Sequence, residues 1–167
     1  LEELEFRADE DEWKLVRPAR ITLSQGLEID SLALEAGDQA LRVRGRLGST
    51  GPLSLALEAE RFRLGTISDL LGVPALLGQV SGSLALTGTA EAPNMEVQAE
   101  ADLDPEDADP SHLELSAGYA ERSLDFEARA DMGEGRGFQA DGSIPMSFSL
   151  SDTTRGLLDT EPMRMEA

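Results

Sequence analysis

Apolar and polar residues alternate one for one along most of this chain. In "LSLALEAERFRL", Leu53, Leu55, Leu57 and Ala59 fall on one side, with Ser54 and Glu58 on the other. The same period of two sets Leu41 and Val43 against Arg42 and Arg44. It places Leu84 with Leu86, and Met95 with Val97, Ala99, Ala101 and Leu103. It returns at Leu113, Leu115, Ala117 and Tyr119, and at Leu124, Phe126, Ala128 and Ala130. In "GFQADGSIPMSFSL" it runs through Phe138, Ala140, Ile144, Met146, Phe148 and Leu150. Alternation of this kind, bounded by Gly, Pro, Asn and Asp, reads as half-buried β-strands.

The first 40 residues form a less regular lead-in. "LEELEFRADEDEWKLV" fits a short helix by its Leu and Glu content, and a strand by Leu4 and Phe6 before the acidic turn "ADEDE". Ile21 with Leu23, and Leu27 with Ile29, read as two more strands. A change of parity at Asp30–Ser31 leads to Leu32 and Leu34, and predicts a bulge or a strand end there. Only "TISDLLGVPALLG" has helical spacing, with Ile67, Leu70 and Leu71 at i, i+3 and i+4. Thr66 or Ser68 caps that helix, and Gly72 with Pro74 ends it near residues 66–72.

About ten strands and one short helix follow, which makes the chain all-β. A helix of two turns cannot cover a sheet. The strands therefore cover one another, as a sandwich, a barrel, or a curled sheet folded over its own apolar face. Periodicity alone does not choose among the three.

At 167 residues the chain is read as a single β domain spanning 1–167. It begins at Leu1 with no initiator Met, and is read as a piece of a longer polypeptide. No apolar run approaches the roughly 18 residues that span a bilayer. The formal net charge is −19, from 14 Lys and Arg against 33 Asp and Glu. Such a surface repels phosphate backbones, so nucleic acid is excluded as a partner. The charge reads as solubility or salt adaptation, with attraction of a basic partner as the alternative. Absence of Cys rules out disulfides and thiolate metal sites. With aromatics at 4%, the apolar faces are built from Leu, Ala, Val and Met.

No motif for catalysis, metal or cofactor stands out. His112 is the single histidine and reads as a turn residue at a strand start. "DLDPEDADP" (102–110) is acidic, but lacks the ligand order of a calcium loop and is stiffened by two prolines; it reads as a solvated loop over 104–110. "GEGRGF" lacks the strand-to-helix setting of a dinucleotide site, and "GRLGSTGP" lacks the Lys-Ser/Thr of a phosphate loop. Both read as hairpin turns needing positive φ. Neighbouring carboxylates have no weight as acid/base pairs in so acidic a chain. The expectation is that the chain is not an enzyme.

The stretch from Leu41 to Leu103 resembles the C-terminal region of the TamB family, within the AsmA-like group of bacterial envelope proteins. The resemblance lies in "GPLSLAL", the leucine-rich link, "GQVSGSLALTGTAEAP" and the strand that follows. "WKLVRPARITL" upstream and "GRGFQADGSIPMSFSL" downstream extend it from about Trp13 to Leu150. Residues 41–103 form the best-matching strand–helix–strand unit, 111–150 supply further strands, and 151–167 are read as a disordered tail or an extra strand.

The resemblance implies an antiparallel curled sheet, a taco-like half-pipe with an apolar concave face. It implies a periplasmic segment of a protein anchored in the inner membrane of a Gram-negative-type bacterium. Its implied partners are phospholipids or unfolded outer-membrane protein strands, together with a TamA-like outer-membrane barrel of the Omp85 type. Candidate lining residues are Leu53, Leu55, Leu57, Leu84, Leu86, Met95, Val97, Leu113, Leu115, Leu124, Phe126, Phe138, Ile144, Met146 and Phe148. The alternative reading is a closed β-sandwich spacer with those residues as its dry core.

Overall fold

The computed structural model describes residues 1–8, 11–23, 26–48, 51–65, 77–104 and 110–150. The helix expected near 66–72, most of the acidic loop and the 151–167 segment lie outside the described residues. Eleven strands are described: β1 (Glu5–Ala8), β2 (Asp11–Leu15), β3 (Ile21–Thr22), β4 (Leu27–Ala36), β5 (Gln39–Leu47) and β6 (Pro52–Arg63), then β7 (Gly78–Thr89), β8 (Pro93–Leu103), β9 (Ser111–Ala120), β10 (Ser123–Asp131) and β11 (Gly137–Pro145).

All eleven belong to one antiparallel sheet of order β1-β2-β4-β5-β6-β7-β8-β9-β10-β11, with β3 beside β4. Each strand from β4 onward pairs with its successor in sequence, as consecutive antiparallel strands commonly do. The sheet is not closed, since β1 and β11 stand at opposite edges. A single open sheet replaces the sandwich and the barrel left open by periodicity. The ambiguous N-terminal stretch resolves as the β1–β2 hairpin, with Phe6 opposite Trp13.

The ladder bends where the sequence breaks phase. Register shifts in β4 between Ile29 and Leu32, so the parity change at Asp30–Ser31 is a bulge inside one strand. A second shift lies in β6 between Ala59 and Phe62, where Arg61 takes φ 47° and its N–H bonds to Ser81 Oγ at 2.9 Å.

The sheet curls toward its apolar face. Trp13 of β2 and Phe62 of β6 have β4 and β5 between their strands, about 14 Å on a flat sheet. Their ring centroids are nevertheless 5.2 Å apart. Trp13, Leu34 and Ala36 are buried there together, with Leu4, Leu15, Leu32, Leu41 and Phe62 packed against them.

Candidate functional site: an apolar trough

The registers line up side chains across the sheet into rungs, because ladder partners share a face. One rung runs Leu32, Val43, Leu57, Leu84, Val97, Ala117, Phe126, Gly142. The next runs Ile29, Gly45, Leu55, Leu86, Met95, Tyr119, Leu124, Ile144. On the other side lies Leu34, Leu41, Ala59, Gly82, Ala99, Leu115, Ala128, Ala140. Beyond the β6 bulge a fourth runs Phe62, Val80, Ala101, Leu113, Ala130, Phe138. No Asp, Glu, Lys, Arg or His stands in any of the four.

Of the fifteen candidate lining residues, all but Met146 and Phe148 lie on this face of the ladder. Leu53 sits at its margin opposite Gly88, only 3% exposed. Met146 and Phe148 follow Pro145, where β11 ends. From there the chain crosses the ends of β10, β9 and β8 as a strap: Met146 N–H bonds to Arg122 O at 2.9 Å, and Leu150 N–H to Ala90 O at 2.8 Å. The buried Tyr119 holds it midway. Its hydroxyl accepts from Phe148 N–H at 2.9 Å, and the Phe148 ring meets the Tyr119 ring edge-on. Phe148 thus closes one margin of the trough rather than lining a strand.

At the opposite strand ends a polar clasp closes the N-terminal part. Gln39, 1% exposed, donates to Asp11 Oδ2 at 2.6 Å and accepts from Arg63 N–H at 2.9 Å. Arg63 also bonds Asp11 Oδ1 at 2.9 Å. Gln39 falls in phase with Leu41 and Val43, and that in-phase polar residue was the signal available in the sequence. The Trp13 indole N–H beside this clasp is buried without a hydrogen-bond partner among the described residues.

Over β9–β11 the face is less covered. Leu115 is 37% and Phe138 53% exposed, although Leu115 shares a rung with the buried Leu34 and Phe138 one with the buried Ala101. The convex face carries the charge. Arg42 pairs with Glu60, Arg46 with Glu28 and Arg129 with Glu127, all exposed. His112 lies on that face within β9, its Nδ1 2.8 Å from Asp102 Oδ1. The hydrogen bond to Asp102 raises the imidazole pKa above its ordinary 6.5, and the carboxylates of Asp102, Glu114 and Glu100 add to it. Gly133 and Gly135, in the β10–β11 turn, take φ 73° as the turn reading required.

Comparison with protein-family profiles, with curated proteins and with solved structures finds no match. The fold and the face define a class on their own: an open, curled antiparallel sheet with an ion-free apolar trough and a charged convex side.

Proposed function

We propose that the chain is a conduit module whose trough carries phospholipid acyl chains between the two membranes of a bacterial envelope. The observation that carries this reading is the extent of the apolar face. Three of its rungs cross from β4 to β11 and a fourth from β6 to β11 without an Asp, Glu, Lys, Arg or His, and Leu115 and Phe138 remain exposed at the far side. A face of that size needs a covering partner. An acyl chain suits it, because each buried CH₂ contributes about 0.8 kcal/mol and no polar recognition is needed. Aliphatic rungs fix no single point of a hydrocarbon chain, which permits sliding. The TamB resemblance supplies the setting: a periplasmic stretch of a longer envelope protein working with an Omp85-type barrel.

The test is a titration of the full chain with a fluorescent fatty acid, beside Leu84→Arg. Leu84 is half-buried at the centre of a rung, so an Arg there projects its charge into the trough without entering a closed core. The expected result is saturable binding by the natural chain, and at least tenfold weaker binding by a folded Leu84→Arg. Binding of an outer-membrane strand peptide with no uptake of fatty acid would replace lipid by polypeptide as cargo. Absence of any uptake would overturn the reading.

A further inference from the structure

β11 ends the described sheet on one side, and the chain adds no described strand beyond it. It is paired along its length with β10, and its other edge is open among the described residues. Hydrogen bonds at both ends of the β10–β11 ladder show which groups face out. Met132 N–H bonds to Arg136 O and Met146 N–H to Arg122 O, so the even-numbered residues of β11 are the hydrogen-bonded partners of β10. Gly137, Gln139, Asp141 and Ser143 therefore turn their peptide groups outward. Side chains follow the same alternation, with Phe138, Ala140, Gly142 and Ile144 on the trough face and Gln139, Asp141 and Ser143 on the charged one. Between Gly137 and Ile144 the edge carries a single charge, Asp141, and neither a Pro nor a bulge, and Pro145 blunts only the last position of the strand.

We infer that this edge pairs with the same edge of a second copy, antiparallel about a two-fold axis at Ala140. Outward peptide groups must meet, so the axis falls on a residue rather than between two. Centred on Asp141, the register opposes two carboxylates and sets Pro145, without an N–H, at an outward donor position. Centred on Gln139, it pairs only Gly137 to Asp141. Centred on Ala140, it pairs Gly137 to Ser143 and sets each Gln139 amide opposite the other copy's Asp141 carboxylate. Phe138 then lies across from Gly142 of the second copy. That glycine lies under the Phe126 ring, which an added Cβ would meet at 3.0 Å, so the space beside it is aromatic. The most exposed aromatic of the trough is covered, and the two apolar faces run on as one.

The net charge of −19 per copy opposes this pairing, as do Asp141 and its neighbour Glu127 near the axis. The contact is one strand wide, so the dimer is weak and strengthens with salt, which shortens the screening length to about 3 Å near 1 M.

The chain has no cysteine, so Ala140→Cys introduces a single thiol that faces its own copy. A non-hydrogen-bonded antiparallel pair brings Cα atoms to about 4.5 Å, within disulfide range. Oxidising the full chain in high salt should cross-link Ala140→Cys at least tenfold faster than Ser143→Cys, whose thiols stand far apart in this register. Sedimentation of the unmodified chain should rise with salt from 17.9 kDa toward twice that mass. Gln139→Pro, which removes an outward N–H, should keep it monomeric. Equal cross-linking of the two cysteine variants, a constant 17.9 kDa at every salt and concentration, or dimers unaffected by Gln139→Pro would each overturn the inference.

Discussion

Leu53 and Phe138 share the apolar face and differ in what covers them. Leu53 is 3% exposed beside Pro93 and Gly88, whereas Phe138 on the edge strand is 53% exposed. Leu53→Ala should lower unfolding free energy by about 2–5 kcal/mol in urea titrations. Phe138→Ser should change it by less than about 1 kcal/mol. Alternation gives the two positions the same reading, because it reports which way a side chain points and not what lies over it. His112 shows the same limit, since its cross-strand partner Asp102 lies ten residues back and only the β8–β9 register joins them. Its NMR titration midpoint should lie above 6.5, and Asp102→Asn should lower it. A raised folded-state pKa means this contact stabilises below the unfolded value of 6.5 and is lost as pH rises through the folded one.

Among the elements, β5 and the β9–β10 turn hold backbone shapes that the sequence shows only in part. Gly45 sits mid-strand in β5 at φ 129°, and a Cβ there would stand 1.7 Å from Ser54 O. Gly45→Ala should cost at least about 1–3 kcal/mol, measured as a lower denaturation midpoint. The β9–β10 turn places Glu121 and Arg122 at φ 51° and 67°, the shape that an Asn-Gly pair adopts most readily. Combining Glu121→Asn with Arg122→Gly in one variant should stabilise by about 1 kcal/mol in the same assay. "AERS" contains no turn signature, so this hairpin was visible only through the strands that flank it. The bulge in β4 was legible because two apolar pairs on either side of Asp30–Ser31 fall out of phase. The one in β6 left an equal trace, since Phe62 is out of phase with Leu57 and Ala59. At β11 the alternation ran on past Pro145 in the sequence but not in the ladder. There the apolar rhythm of Met146 and Phe148 belongs to the strap packed on Tyr119.

For the whole molecule, the sequence carries the strands and their faces but not whether the sheet closes. Sandwich, barrel and trough all need the same half-buried strands. What separates them is long-range: a ladder that is sequential from β4 to β11, and the clasp that joins Asp11, Gln39 and Arg63 across β2, β5 and β6. On the proposed function, the uncovered part of this trough holds acyl chains. Native mass spectrometry of the full chain, purified without detergent and then offered phospholipid, tests it most directly. An acyl-binding trough predicts phospholipid adducts on the natural chain and their loss from a folded Leu84→Arg. A bare mass of 17.9 kDa before and after lipid is added would contradict it.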